Sequence, residues 1–303
     1  MQKDRNDPTQ TGSVLTGTIT KAIGGLYTVE SPSGVFDFRA RGIFRNRGQS
    51  PMVGDRVEVK NGVIDRLLPR KNSLIRPPLA NLDQLLFVVS MYKPAPNLLL
   101  LDKFIAIAEH KQITPILVVT KADLEDPSPL AAIYQQAGIP VYVVEYAKPR
   151  TVDAVAACLS GKVSAFTGNS GAGKSTLLNA IDASLKLETG SISEKLGRGR
   201  HTTRHAQLYP VQGGGYVADT PGFSTFETNQ YDIIRKEELA GCFREFAPYL
   251  GSCRFQDCCH TAERDCALRQ AVEQGEIPRS RYESYCRMFE EAKGLKEWEL
   301  KKD

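Results

Sequence analysis

Nine consecutive residues near the middle of the chain read Gly168-Asn169-Ser170-Gly171-Ala172-Gly173-Lys174-Ser175-Thr176. An apolar run, 163–166, precedes them, and a helical pattern, 175–181, follows them. The glycines allow the backbone to wrap around phosphate groups, and the amides at a helix N-terminus donate hydrogen bonds to an anion. Lys174 is placed to neutralise β- and γ-phosphates, and the Ser175 hydroxyl is placed to bind magnesium. The stretch therefore predicts a nucleoside triphosphate site between a strand and a helix.

Apolar runs alternate with helical patterns around this phosphate loop. The predicted strands are 85–89, 116–119, 141–144, 163–166, 206–211 and 216–218, and the predicted helices are 99–110, 129–137 and 152–159. Buried parallel strands that alternate with helices form a doubly wound sheet with helices on both faces. The sequence therefore predicts an α/β fold for this part of the chain.

Two segments after the phosphate loop carry further magnesium and phosphate chemistry. Asp219 directly follows the predicted strand 216–218, where a carboxylate can hold magnesium through water, and the Gly222 amide can reach a γ-phosphate. The glycine-rich, basic stretch 197–205 lies between the two motifs, and either Thr202 or Thr203 can complete the magnesium shell. An ordinary basic surface loop is the alternative for this stretch. We expect the two segments to act as switches around the triphosphate.

The stretch Thr120-Lys121-Ala122-Asp123 follows the predicted strand 116–119 and resembles the guanine-recognition motif of GTPases, Asn-Lys-x-Asp. A carboxylate at Asp123 accepts two hydrogen bonds from the guanine ring NH and amino group, whereas adenine lacks this pair of donors. The stem of Lys121 can cover the face of the purine. Together with the phosphate loop, this motif indicates GTP rather than ATP.

Residues 14–68 show the pattern of a small β-barrel. Five short strands, separated by glycine-rich turns, are predicted at 14–19, 26–29, 35–39, 56–60 and 62–67. This pattern suits an OB-fold, although an SH3-like barrel remains open. Ten basic residues against three acidic ones lie between Arg39 and Arg76, so this window carries +7 and the rest of the chain −3. Clustered arginine is typical of polyanion binding, and a solvated basic face is the alternative.

Four of the seven cysteines lie between Cys253 and Cys266. This density in a chain expected to be cytosolic favours metal binding over disulfides. Cys253, Cys258, His260 and Cys266 offer three thiolates and an imidazole, which suit a closed structural zinc site, and Cys259 could replace Cys258. Helices are predicted on both sides of this loop, at 233–246 and 280–300.

Composition limits the class of protein. The 303 residues are 41% hydrophobic and 24% charged, as in ordinary soluble proteins. Apolar runs stop far short of the roughly 18 residues that a membrane span needs. Residues 1–11 are polar and charged, unlike a secretory signal. We therefore expect no membrane helix and a cytoplasmic location.

The order of the motifs is permuted, because the base-recognition motif precedes the phosphate loop by about 45 residues, whereas it follows that loop in ordinary GTPases. With a basic barrel in front and a cysteine cluster behind, this order resembles the RsgA family of GTPases that depend on the small ribosomal subunit. The resemblance covers nearly the whole chain after residue 13. It includes Ala80-Asn81-Leu82-Asp83-Gln84 and residues 199–203.

The resemblance implies three domains: an OB-fold RNA-binding domain over 1–75, a circularly permuted GTPase domain over 76–230 and a helical zinc-binding domain over 231–303. It implies GTP and Mg²⁺ as ligands and one structural Zn²⁺, with Cys258 rather than Cys259 as ligand through the pattern Cys-x4-Cys-x-His-x5-Cys. The implied partners are the small ribosomal subunit and its rRNA, in late maturation of that subunit, with the chain as a monomer. Thr120 and Glu145-Tyr146-Ala147 depart from the family pattern.

The residue after Gly222 is Phe223, which cannot orient a water molecule as the glutamine of many GTPases does. Slow intrinsic hydrolysis is therefore expected. His201 is the nearest candidate to hold the attacking water once a partner orders its loop, and a surface histidine is the alternative. Two other functions compete: a P-loop ATPase or kinase, and an RNA-binding protein in which GTP is a structural ligand.

Overall fold

The computed structural model describes residues 14–46, 49–75, 77–185, 207–219 and 233–294. In chain order the strands are β1 (Val14–Ile23), β2 (Leu26–Ser31), β3 (Gly34–Ala40), β4 (Arg56–Lys60), β5 (Val63–Leu67), β6 (Ser73–Leu74), β7 (Leu79–Ala80), β8 (Gln84–Ser90), β9 (Thr114–Thr120), β10 (Val141–Val143), β11 (Lys162–Thr167), β12 (Gln207–Pro210) and β13 (Gly215–Asp219). The helices are α1 (Ile43–Asn46), α2 (Leu98–His110), α3 (Ser128–Gln136), α4 (Pro149–Leu159), α5 (Lys174–Ile181), α6 (Lys236–Leu239), α7 (Ala267–Glu273) and α8 (Arg279–Lys293).

The described residues divide into two compact units. One contains residues 14–83, 159–166 and 207–219, and the other contains 84–158, 167–185 and 233–294, apart from the gaps at 47–48 and 76. Each unit has its own buried apolar core. None of the described helices is long and apolar enough to cross a membrane.

The first unit is built on a closed five-stranded barrel. The strand order is β1-β2-β3-β5-β4, and β4 returns to β1, with β3 and β5 parallel and the other pairs antiparallel. The interior is filled by β-branched side chains with no exposed surface: Ile19, Val29, Val57, Val59 and Ile64. This barrel confirms the predicted OB-fold and all five predicted strands.

A β-hairpin and three further strands complete the first unit. β6 and β7 pair on either side of Pro77-Pro78, so the two prolines lie in the turn between these strands. β11 runs parallel to β13, and β12 runs antiparallel to β13. β12 also pairs with the barrel strand β1 at Gln207 and Lys21. Residues 162–166 of β11, the strand that leads into the phosphate loop, therefore belong to the same unit as the barrel.

The second unit contains the parallel strands β10, β9 and β8 in that order, joined by helices. The predicted alternation of strands and helices is confirmed here, with β9 two residues longer at its start than expected. The predicted helix over 280–300 is confirmed as α8 up to Lys293, with Gly294 as its C-cap residue, and residues 295–300 lie outside the described residues. A second apolar core lies between α2 and the C-terminal helices.

The predicted helix over 233–246 is wrong. α6 contains only four residues, and two short 3₁₀ turns, Ala240–Cys242 and Arg244–Phe246, follow it. Phe243 lies between these turns in an extended conformation, with φ −115° and ψ 97°. The break allows Phe243 and Phe246 to stack at 4.9 Å and both rings to meet the edge of Tyr285. Aromatic packing therefore outweighs the local helical preference.

Candidate nucleotide and zinc sites

The phosphate loop runs from the end of β11 to the first turn of α5. Gly173 precedes α5 with φ at 90°, and Gly168 has φ at 146°. A Cβ at Gly168 would overlap the carbonyl oxygen of Val88, so no larger residue fits there. The two glycines therefore give the loop the backbone that the sequence predicts for a phosphate cradle.

The ammonium group of Lys174 lies over this loop. It donates hydrogen bonds to the carbonyl oxygens of Gly168 and Asn169, the second at 3.0 Å. Ser175 is half-buried in the first turn of α5, whereas Ser170, Gly171 and Thr176 are exposed. A cation and a helix N-terminus thus lie at one loop, an arrangement that suits a triphosphate with its magnesium.

The base-recognition motif contacts the phosphate loop through Thr120. The Thr120 hydroxyl, at the end of β9, is buried and donates a hydrogen bond of 2.7 Å to the carbonyl oxygen of Ala172. Thr120 replaces the usual asparagine of this motif, and the structure shows that a bond to the phosphate loop is kept. Base and phosphate recognition are therefore joined by a direct hydrogen bond.

The other members of the base motif leave Asp123 open to a ligand. Lys121 adopts φ 55°, and its ammonium donates to the carbonyl oxygens of Tyr92 and Lys93 at 2.9 and 2.7 Å. Ala122 is half-buried, and Asp123 is exposed. Within the described residues the Asp123 carboxylate makes no hydrogen bond or ion pair, so both of its oxygens are available to a guanine base.

Tyr146, in the segment Glu145-Tyr146-Ala147 that departs from the family pattern, also borders the phosphate loop. Its hydroxyl lies 3.8 Å from the position that a Cβ at Gly173 would take, and the Thr120 hydroxyl lies 3.7 Å from the same position. Partial burial raises the pKa of Tyr146, so the phenol stays protonated. The available signal was its place after β10, since loops at the carboxyl ends of neighbouring parallel strands converge.

The predicted switch residues fall largely outside the described residues. Asp219 is the last residue of β13, and its side chain is not among those described. His201, Thr202, Thr203 and Gly222 lie outside the described residues altogether. Their roles stay predictions.

Cys253, Cys258, His260 and Cys266 form a cluster whose ligand atoms all lie within 4.8 Å of one another. The sulfurs of Cys253 and Cys266 are 3.7 Å apart, and the His260 Nδ1 lies 3.4 and 3.5 Å from them. Tetrahedral zinc with Zn–S bonds of about 2.3 Å places its sulfurs about 3.8 Å apart. The cluster therefore fits a structural zinc ion. Cys259 lies outside it, with its sulfur directed to the carbonyl oxygen of Asp257.

Hydrogen bonds hold the zinc loop in shape. The Glu263 carboxylate accepts from the backbone amides of Cys259, Thr261 and Ala262, and although burial alone would raise the pKa of Glu263, these bonds lower it. The Tyr285 hydroxyl donates to the carbonyl oxygen of Cys259 at 2.7 Å. Burial lowers the pKa of His260, which favours the neutral imidazole that a metal needs.

Comparison with known proteins finds matches to one protein family over most of the chain. A profile of the RsgA GTPase family matches residues 67–229, and one of the RsgA N-terminal domain matches residues 16–63. The small ribosomal subunit biogenesis GTPase RsgA of Caldanaerobacter subterraneus is 42% identical over 92% of this chain and 96% of its own length. Its namesake from Geobacillus kaustophilus is 44% identical over 92% and 98%.

Two solved structures have a similar fold. The crystal structure of YjeQ from Thermotoga maritima has a TM-score of 0.77 and 35% identity, and the match covers 94% of this chain and all of that one. The structure of YloQ, described as a circularly permuted GTPase, has a TM-score of 0.77 and 34% identity over 98% of this chain and 99% of that one. The similarity therefore extends from the barrel through the zinc loop.

Proposed function

This chain belongs to the RsgA family of GTPases, and from that premise we propose that it hydrolyses GTP to GDP and phosphate during late maturation of the small ribosomal subunit, with the subunit stimulating turnover. The observation that carries the proposal is the hydrogen bond from Thr120 to Ala172, because it joins a guanine-type motif to a phosphate loop. Adenine lacks the two donors that the Asp123 carboxylate can accept from, so this carboxylate favours GTP over ATP.

Binding of GTP uses the two halves of this site. The Asp123 carboxylate accepts from the guanine ring NH and amino group, and the stem of Lys121 covers the base. The phosphates replace the carbonyl oxygens of Gly168 and Asn169 as partners of the Lys174 ammonium. The Ser175 hydroxyl, and Asp219 through water, would hold Mg²⁺, which would supply positive charge to the phosphates.

Hydrolysis depends on the two switch segments. Gly222 offers its amide to the γ-phosphate, and Thr202 or Thr203 would supply a hydroxyl ligand to Mg²⁺. His201 holds the attacking water once the docked subunit has ordered its segment. Since Phe223 cannot do this, turnover without the subunit is slow.

The small ribosomal subunit is the partner, and its rRNA contacts the barrel. Arg39, Arg56 and Lys60 are exposed on the barrel strands, as phosphate contacts require. Residues 1–75 act as the RNA-binding domain, 76–230 as the GTPase domain and 231–303 as the zinc-binding domain. The chain works as a monomer in the cytoplasm, where ribosomal subunits are assembled.

The test is GTP hydrolysis by the purified protein, alone and with small ribosomal subunits, with ATP as competitor. We expect strong stimulation by the subunit and no inhibition by ATP. Turnover that is unchanged by the subunit, or competed by ATP, would contradict the proposal. His201→Ala should abolish most of the stimulated rate, whereas His205→Ala, a histidine of the same segment, serves as the matched control.

A further inference from the structure

The motif Ala80-Asn81-Leu82-Asp83-Gln84 has no role in the chemistry described above. Its middle residues form a strap after β7 in the first unit. Asn81 adopts φ 59°, its side-chain oxygen accepts from the Lys71 amide at 2.9 Å, and its side-chain nitrogen donates to the carbonyl oxygen of Gly54 at 2.9 Å. Asn81 therefore attaches the strap to the segment before β4 and to the segment after β5.

A second asparagine repeats this attachment. The Asn72 side chain donates to the carbonyl oxygen of Leu82 and accepts from the Leu82 amide, both at 2.9 Å. A Cβ at Gly54 would overlap the carbonyl oxygen of Ala80, so the strap and the barrel are in close contact. These hydrogen bonds and this close contact hold the strap in a fixed position on the barrel.

The barrel side of this contact is itself fixed by a buried ion pair. Asp55 has no exposed surface, and its two oxygens accept from the Arg70 guanidinium at 2.6 and 2.8 Å. Such two-point pairs fix direction as well as distance. Residues 70–72 therefore form a rigid base for the strap.

Asp83 connects the strap to β11. The Asp83 amide donates to the carbonyl oxygen of Val163 at 2.8 Å, and the Asp83 carboxylate accepts from the Val163 amide at 2.7 Å. The other carboxylate oxygen pairs with the Lys71 ammonium. One side chain thus bonds both to the second residue of β11 and to the base of the strap.

The position of Val163 matters because β11 ends in the phosphate loop. Gly168 follows five residues later, which is about 17 Å of extended chain at about 3.3 Å per residue. Residues 164–167 are buried, so the strand cannot bend freely along this length. A displacement of its first residues is therefore passed along the strand to the loop.

We propose that Asp83 is a positioning residue of the GTPase, which couples the barrel to the phosphate loop by holding Val163 on the strap. RNA docking displaces the barrel, the strap moves with it, and β11 transmits the displacement to the loop. This inference rests on the proposed function, since it concerns the stimulation of turnover by the subunit.

The experiment compares stimulated and unstimulated hydrolysis for Asp83→Ala and Asp83→Asn. The alanine removes the acceptor for the Val163 amide, whereas asparagine keeps an oxygen there. For Asp83→Ala we expect a kcat with saturating subunits that is about tenfold lower, with GDP affinity and the unstimulated rate within about twofold of the wild type. Asp83→Asn should restore most of the stimulation. Asp153→Ala, an exposed carboxylate on α4, is the matched control.

Asn81→Ala provides a second, independent test, because it releases the barrel end of the strap and leaves the Asp83 bonds in place. It should lower the stimulated kcat without changing the affinity for the subunit, and it keeps the test valid if Asp83→Ala does not fold. Full stimulation in both variants would overturn the inference, as would an equal loss of stimulated and unstimulated rates. Absence of stimulation in the wild type would instead contradict the proposed function.

Discussion

Thr120 departs from the usual asparagine, yet its hydroxyl makes the hydrogen bond that joins the base motif to the phosphate loop. The hydroxyl has one proton to donate, and the distances of 2.7 Å to Ala172 and 3.4 Å to Val89 show that the phosphate loop receives it. A single buried hydrogen bond thus stabilises the loop on the side of the base motif. The side-chain amide of asparagine would offer two protons there, so threonine supplies the minimum that the contact needs.

We expect Thr120→Val to weaken GDP binding about 5- to 10-fold, because the Ala172 carbonyl loses its donor and a net hydrogen bond is worth about 1 kcal/mol. Thr120→Asn should bind GDP like the wild type. Thr114→Val, at the exposed start of the same strand, is the control. Titration calorimetry with GDP measures all three, and an unchanged affinity for Thr120→Val would contradict the expectation.

Thr167, the last residue of β11, differs from Thr120 in the hydrogen bonding of its hydroxyl. Its side chain is 1% exposed, and its hydroxyl has no hydrogen-bond partner among the described residues. Valine has the same shape without the buried polar group, so Thr167→Val should raise the free energy of unfolding by about 1 kcal/mol. Urea denaturation measures this, and a loss of stability would show that the hydroxyl has a partner such as an ordered water.

The zinc loop is held by side-chain hydrogen bonds and by packing of its cysteines on the second apolar core. Residues 253–266 contain no helix or strand, and their backbone is held by the Glu263 carboxylate and by the hydroxyls of Tyr282 and Tyr285. A closed site with three sulfurs and one imidazole leaves no position for a substrate. Its effect is on folding, since metal binding and folding of such a loop are coupled.

Adjacent cysteines allow a sharp test of the ligand set. Cys258→Ser should lose the zinc and lower the melting temperature, because it removes one of the four clustered ligands. Cys259→Ser should keep one zinc per chain, since this thiol lies outside the cluster. Atomic absorption and thermal unfolding, before and after a chelator, measure both. Retention of zinc by the first variant together with loss in the second would assign the ligand to Cys259.

Elements with strong periodicity were predictable from the sequence, and those shaped by distant packing were not. All five barrel strands could be predicted, because alternating apolar residues between glycine turns fix strand positions locally. The break at Phe243 could not, because it depends on a ring of Tyr285 that is remote in the sequence. Local preference alone does not contain such contacts.

The motifs predicted the chemistry of the site but not the side-chain contacts that connect its segments to the rest of the molecule. The motif that opens at Ala80 was visible as a resemblance, yet only the structure shows that it joins Asn72, Lys71 and Val163. Within the basic window, Arg70 is paired with the buried Asp55, and the Lys71 ammonium pairs with the Asp83 carboxylate. Counts of charge do not separate structural from exposed cations.

In the second unit, a buried charge network joins the C-terminal helix α8 to the GTPase helix α2. Arg281 is 1% exposed, and its guanidinium donates to Asp102 at 2.7 Å and to Glu245 at 2.7 Å. It also lies 4.6 Å from the centre of the Phe243 ring. Arg281→Met should lower the free energy of unfolding by about 3–5 kcal/mol, because two carboxylates then stay buried without their cation.

The same network predicts a rescue that distinguishes charge from packing. Adding Asp102→Asn and Glu245→Gln to Arg281→Met removes the uncompensated charges, and replacing a whole buried network by neutral groups of similar size is often close to neutral. The triple variant should therefore unfold at a higher urea concentration than the single one. If the triple variant is no more stable, the loss in Arg281→Met comes from packing against Phe243 rather than from buried charge.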